Sequence, residues 1–357
     1  MGNYFAIDAI EPSMKKTTAF FSGPSLFRKW AKLAVLIMVF MLLSGGGGSN
    51  FNFSLPDSSA KEQATTEQAT QQIKDFVSWF SGIDFGMVLL IAVVVLIVLF
   101  IIGTILNVVK YTAMFSILNG ITTNDVRILG HAGKYLPRSI SLALFDLLLG
   151  LIALPFTILM VAAFFGIFIL FFSAIPELSE FLNLIPFRDV IANPAFIIIT
   201  FLISLPVLLF FSLLHYIKGQ FGVYLMYTRN INSALDGFRK GISIVMQNKL
   251  QTVVLLLVQL ALTIVLGIIS FIIALIVAIP FAIAVAAITI ALVLLGSSSG
   301  ASVAAIIIGI LVLLPLAIIA LYAASFALSP IHVFFFHYNL QVLENFMGAG
   351  AGKQKSS

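Results

Sequence analysis

Six apolar stretches separated by polar segments organise this chain. The first runs from Trp30 to Leu43 and ends in Gly45-Gly46-Gly47-Gly48. The others are Met87 to Val109, Ile140 to Phe172, Phe196 to Tyr216, Thr252 to Leu295 and Ala304 to Leu328. A helix rising 1.5 Å per residue crosses a hydrocarbon core of about 30 Å in roughly 20 residues. Every run but the first reaches that length. The first is read as a span rather than a signal peptide, because about thirty residues precede it and no small-x-small cleavage pattern follows. Barrel strands would alternate polar and apolar residues over about ten positions, and these runs do not alternate. Ile140 to Phe172 is too long for one upright span, and Pro155 is placed to kink it. Thr252 to Leu295 is interrupted by Pro280 and reads as one span over 252–280 or as two.

A short amphipathic segment stands before each outward-going run, and another near the C-terminus. In the first, Ile10, Met14, Thr17 and Phe21 share one helical face, opposite Glu11, Lys15 and Thr18. In the second, Arg127, His131, Lys134 and Arg138 oppose Val126, Leu129, Ala132 and Leu136. In the third, Asn232, Asp236, Arg239 and Ser243 oppose Leu235, Phe238, Ile242 and Val245; in the last, His337, Gln341 and Glu344 oppose Leu340, Leu343 and Met347. This is the spacing of helices lying on an interface. Their acids, Glu11, Asp125, Asp236 and Glu344, recur at intervals of 114, 111 and 108 residues. Pro206 and Asn230 match Pro315 and Asn339 at a constant offset of 109, and Asn119 lies 111 before Asn230.

The pattern therefore predicts an all-α membrane protein of six transmembrane helices in three pseudo-repeats, each preceded by an amphipathic interfacial helix. Unit one is 1–119, with spans near 30–44 and 87–109 and an outer linker 45–85. Unit two is 120–230, with spans near 140–172 and 196–216. Unit three is 231–347, with spans near 252–280 and 304–328, and 348–357 is expected as a disordered tail. Each unit holds an even number of spans, so the copies share one orientation about an axis along the membrane normal.

Composition supports the membrane and charge sets the orientation. Hydrophobic residues make up 61% of the 357 and charged residues only 9%, against about 25% charged in a soluble domain. With the N-terminus inside, fifteen Lys and Arg fall on the inner segments and three on the outer, Lys32 lying in the first span. That bias places both termini in the cytoplasm and the chain in the cell membrane as a multi-pass protein. The net charge of +5 is accounted for by topology and gives no reason to expect nucleic acid. Cysteine is absent, which excludes disulfides, thiolate metal sites and thiol nucleophiles. Asn52-Phe53-Ser54 is an N-glycosylation sequon on the expected outer side.

Chemistry is sparse. No His-Glu-x-x-His, Gly-Lys-Ser/Thr or Gly-x-Ser-x-Gly motif occurs, so no enzyme, cofactor or metal is expected. His131, His215, His332 and His337 sit at span borders without ligand spacing. Lipid penalises polar groups inside spans, which singles out Asp146, Gln259 and Lys32. At offsets near 111 these share one level in their units, either as a polar cluster on a solute path or as snorkelling and interhelical hydrogen-bonding groups. Arg127, Lys134, Arg138, Arg239 and Lys240 are the candidates for lipid headgroups.

Two stretches carry a resemblance. Residues 3–10, 27–34 and 45–52 look like an archaeal family of uncharacterised multi-span membrane proteins. Ser233-Ala234-Leu235-Asp236-Gly237-Phe238-Arg239-Lys240-Gly241, leading into a span, is similar to the membrane domain attached to some glycerophosphodiester phosphodiesterases. The soluble phosphodiesterase barrel has no counterpart here, so the resemblance implies a membrane fold and no activity. The expected function is a non-enzymatic scaffold or subunit of a membrane complex, in contact with lipid and with other membrane proteins or a second copy. The alternative is a transporter or channel for a lipid or small solute.

Overall fold

The computed structural model describes residues 4–22, 26–44, 85–128, 130–173, 188–296 and 302–354. The outer linker through residue 84, the Asn52 sequon and residues 297–301 lie outside the described residues. Those described are helical or in turns, with no strand among them. The elements are α1 (Phe5–Asp8), α2 (Ile10–Phe20), α3 (Leu26–Leu43), α4 (Phe85–Thr123), α5 (Ala132–Phe172), α6 (Arg188–Ile191) and α7 (Pro194–Ile217). A π-helical turn, Lys218–Gly222, then leads into α8 (Val223–Thr228), α9 (Ala234–Gln247), α10 (Lys249–Gly296) and α11 (Ser302–Gln354).

Among the described residues five segments are long and apolar enough to cross a membrane: Val93–Thr123, Ala132–Phe172, Pro194–Thr228, Lys249–Leu292 and Leu311–Gly348. The first expected span forms α3, whose first seven residues include Arg28, Lys29 and Lys32. That leaves Leu33 to Leu43 as its uncharged part, which by itself is too short for a full crossing. The run from Thr252 to Leu295 lies within one helix that continues through Pro280, so no turn divides it. Pro137, Pro155, Pro206, Pro315 and Pro330 are likewise inside continuous helices. Bundled helices accept such residues because neighbouring groups satisfy the freed carbonyls.

The helices close on one another in sequence. α3 packs on α4, α4 on α5 and α5 on α7; the π turn and α8 pack on α9, α8 touches α11, α10 packs on α11, and α11 returns to α2 and α3. The buried core gathers at one end of this ring, where α4 and α8 finish and α5 and α10 begin. Leu33, Ile37, Phe115, Leu118, Tyr135, Leu142, Phe221, Met226, Leu255, Val333 and Leu343 meet there. Toward the other end the large apolar side chains face outward, for example Leu99, Phe171, Leu202 and Ile276. In water that surface would be untenable; in hydrocarbon it costs nothing.

The expected surface segments differ in how they are built. On α2 the side against the core is Ser13, Thr17 and Phe20, while Met14 is 64% exposed. Ser13 and Thr17 hold their hydroxyls on backbone carbonyls four residues back, which lets them be buried. The second segment is not a separate helix. Asn124, at φ 57°, ends α4 in the left-handed region, where a short amide side chain is tolerated, and the helix from Ala132 onward is already α5. The third is α9, capped by Ser233 onto the Asp236 amide. It buries Ala234, Gly237, Phe238 and Gly241 and exposes Asp236, Arg239, Lys240 and Ser243. The fourth is the final part of α11, which runs to Gln354 and takes in most of the expected disordered tail. There Leu340, Val342, Leu343 and Phe346 are core residues.

Candidate functional site

The exposed apolar side chains of α4 stop at Val109, and those of α7 stop at Leu213. Immediately beyond, at the packed end, three helices bring charged groups together. α4 contributes Lys110 and Tyr111, α5 contributes Asp146, α7 contributes His215, and the π turn contributes Lys218. The Lys218 side chain is 2% exposed and that of Asp146 8%. Lys218 Nζ donates to Asp146 Oδ1 and, at 2.8 Å, to the Tyr111 hydroxyl. Tyr111 in turn donates to Asp146 Oδ2. His215 Nε2 lies 3.4 Å from Lys218 Nζ and its Nδ1 3.8 Å from Asp146 Oδ1. Both carboxylate oxygens and the ammonium are thus occupied. That is what a buried ion pair needs to offset its desolvation.

A second network starts from the other side of the same turn. Gln220 Nε2 donates to Asn339 Oδ1 at 2.8 Å, and Gln259 Nε2 donates to the same oxygen at 3.2 Å. The Tyr216 hydroxyl donates to Gln259 Oε1 at 2.6 Å, and Asn339 Nδ2 donates to the Tyr224 hydroxyl at 3.0 Å. The π turn therefore holds two polar groups, one for each network. π-helical turns recur at functional positions for this kind of reason. The turn is held from outside by α9, where Gly237 comes so near that an added Cβ would lie 2.8 Å from Met226 Cγ and 3.0 Å from the Gly222 carbonyl.

A third set joins α5 to the turn after α8. Arg138 donates through Nε to Asn232 Oδ1 at 3.0 Å and through an NH2 nitrogen to Asn230 Oδ1. It is 4% exposed and lies over the Tyr135 ring at 5.7 Å. Arg138 is therefore turned inward, away from the headgroup role expected of it, because helix α5 begins at Ala132 and carries this position onto the core side. The Tyr135 hydroxyl donates to Asn119 Oδ1 at 2.9 Å.

The other expected residues stay outside. Arg127 pairs with Asp125 at 2.7 Å on the surface, and Lys134 sits over the edge of the core at 5.4 Å from the Tyr135 ring centre. Arg239 and Lys240 are exposed on α9, and Lys32 is exposed on α3. The expected cluster of Asp146, Gln259 and Lys32 does not form as one group. Asp146 and Gln259 enter separate networks, and Lys32 enters neither. Glu11 and Lys15 form a surface pair at 2.6 Å, and the lysine holds that carboxyl below its usual range. Among the described residues no group of three or more His, Asp or Glu is placed to hold a metal.

Sequence reasoning counted Lys218 only as a topogenic charge and passed over Tyr111. A signal was present. After Tyr216 the chain reads Ile217-Lys218-Gly219-Gln220-Phe221-Gly222-Val223-Tyr224-Leu225-Met226, too apolar for a solvated loop. A lysine inside such a stretch calls for a buried partner.

These observations define the class: among the described residues, a helical protein with several helices long and apolar enough to cross a membrane, as suits an integral membrane protein, and a packed polar centre at one end. Its family follows from comparison. A model of the family of unknown function DUF7544 matches residues 4–349, nearly the whole chain, and the protein belongs to that family. Neither a curated protein nor a solved structure matches it.

Proposed function

We propose that this protein is a non-enzymatic scaffold of the cell membrane, with six spans in three related units and its packed end and both termini in the cytoplasm. α3 serves as the first span, with Arg28, Lys29 and Lys32 reaching into the inner headgroups. The cyclic order of helix contacts supports the three units, since the last helix of each unit meets the first helices of the next. Asn124 and Asn230 support it too: both take φ near 55° within two residues of the end of a unit's last helix. The excess of Lys and Arg at the packed end supports the orientation. The resemblance of 233–241 to a phosphodiesterase-linked membrane domain adds membrane context and no chemistry.

One observation carries the scaffold reading. The polar residues of the spans are spent on one another across helices: Asp146 with Lys218 and Tyr111, Gln259 with Tyr216 and Asn339, Arg138 with Asn230 and Asn232. Such groups fix which helices are neighbours and leave few donors for a passing solute. The test is purification in mild detergent followed by native mass spectrometry. A scaffold retains a stoichiometric protein partner or second copy with bound lipid. An impermeant maleimide should reach cysteines placed at Ser58 and Ser179 from outside, and at Ser243 only after permeabilisation; outside labelling at Ser243 would overturn the orientation.

A transporter is the second reading, favoured by the Tyr111–Asp146 bond between units one and two and by the 59% exposure of the His215 side chain beside it. Proton or solute flux in proteoliposomes that vanishes in a folded Asp146→Asn variant would establish it in place of the scaffold.

A further inference from the structure

We propose that Lys110 and His215 form a binding site for a phosphate group at the cytoplasmic border of the membrane. This inference rests on the membrane reading and orientation given above. The centre holds two lysines, Lys110 and Lys218, and a single carboxylate, Asp146. Lys218 and Tyr111 occupy both oxygens of that carboxylate. Lys110 is half-buried, and among the described residues it makes no ion pair. Its ammonium rests over the Tyr111 ring, 4.6 Å from the centre. Lys218 Nζ stands over the same Tyr111 ring at 5.4 Å from its centre, and His215 Nε2 lies 3.4 Å from Lys218 Nζ. The cluster therefore carries an uncompensated positive charge before His215 is counted.

An uncompensated half-buried ammonium attracts an anion, the more so where the surroundings are poorly polarisable. The level of the site says which anion. Lys110 directly follows Val109, and His215 lies two residues past Leu213, the last outward-facing apolar side chains of their helices. That is the depth at which lipid phosphates lie. A phosphate offers several unshared oxygens, suited to a point-like ammonium and an imidazole N–H together. The same chemistry serves a lipid headgroup and a free phosphate ion. Arg127, Lys134, Arg239 and Lys240 differ in kind: they are surface charges, whereas Lys110 is held against the protein's own ion pair.

The test uses the full chain in nanodiscs of phosphatidylcholine doped with phosphatidylglycerol, reading retained lipid by native mass spectrometry after transfer to detergent. The wild-type chain should retain phosphatidylglycerol selectively. Lys110→Gln should weaken that retention about fivefold, the equivalent of roughly 1 kcal/mol. Lys110→Arg, which keeps the charge, should preserve most of it, and His215→Gln should lower it less than Lys110→Gln does. Competition by millimolar inorganic phosphate would assign the site to the free ion, and retention unaffected by phosphate would assign it to the headgroup. Equal phosphatidylglycerol retention by the wild type and a folded Lys110→Gln variant would overturn the site. Release of the chain from vesicles by alkaline carbonate would instead overturn the membrane reading beneath it.

Discussion

Removing the ammonium of Lys218 should be among the most damaging single changes in this protein. Lys218→Met keeps most of the length and the apolar stem of the side chain but leaves the Asp146 carboxylate, 8% exposed, with the Tyr111 hydroxyl as its remaining hydrogen bond among the described residues. Breaking one partner out of a buried pair costs about 3–5 kcal/mol, because the survivor is stranded rather than because the pair was worth that much. His215 Nδ1, 3.8 Å from the carboxylate, remains beside it, so the lower half of that range is expected. The double variant Lys218→Met, Asp146→Asn removes both charges, and Asn retains an acceptor for the Tyr111 hydroxyl. It should recover all but roughly 1 kcal/mol. Unfolding in detergent, followed across the two single variants and the double, gives a coupling energy of about 2 kcal/mol or more. Additive losses, or a Lys218→Met variant as stable as the wild type, would refute the buried pair. The same reasoning applies to Asp146→Leu. A snorkelling carboxylate would tolerate that change, whereas a paired one strands Lys218.

Further outcomes follow from the geometry. Gly237→Leu should weaken the docking of α9 on the π turn by about 1–3 kcal/mol, since even a Cβ meets Met226 at 2.8 Å. Gly133→Ala, with nothing within 4 Å, should be neutral or slightly stabilising in the same melting assay. Arg138→Ala should cost about 1–3 kcal/mol by removing the buried guanidinium that ties α5 to Asn230 and Asn232 and by emptying space over Tyr135, whereas Arg127→Gln with Lys134→Gln should stay within about 0.5 kcal/mol; equal effects would return Arg138 to the surface. Tyr111→Phe should lose about 1–2 kcal/mol by removing the hydroxyl shared by Asp146 and Lys218, read as a lower melting temperature.

What could be read from sequence was what depends on run length and charge. Five of the expected spans fall within the apolar helices found here, and Asp146 and Gln259 were singled out because lipid penalises such groups. What could not be read was which face of a helix meets another helix. Inside a membrane both faces are apolar, so periodicity does not separate a lipid-facing Leu144 from a buried Leu142. For the same reason the basic stripe Arg127–His131–Lys134–Arg138 looked uniform, although a turn at Asn124 and a helix start at Ala132 send Arg138 inward. Asn119 lies 111 before Asn230, whereas the residue that shares the left-handed backbone of Asn230 is Asn124. Amide residues recur for capping and for hydrogen bonding alike, and spacing does not say which.

Helix length leaves one consequence for the bilayer. Gln259 bonds Tyr216 at the level of the polar centre, and α10 runs from there to Gly296. Ile290, 61% exposed, stands about 46 Å along the helix from Gln259 at 1.5 Å per residue. A core of about 30 Å would demand a tilt near 50° to contain it, beyond the usual range of 0–40°. Pro280 lies about 32 Å from Gln259 and Pro315 about 36 Å from Asn339 on the same scale, so on the orientation proposed above both prolines would stand near the outer border. A helix lacking a hydrogen bond bends there most readily. The outer part of the α10–α11 hairpin, where Gly309 lies against Leu292, should therefore lean over at these prolines and keep its apolar surface in lipid. A spin label at Ile290→Cys should then show high accessibility to oxygen and low accessibility to a water-soluble nickel chelate. In Pro280→Ala, Pro315→Ala the hairpin should straighten, and the chelate accessibility of that label should rise at least severalfold. Chelate access at position 290 already equal to that of a label at exposed Ser243 would show that the hairpin stands upright into water, and the bending argument would fail.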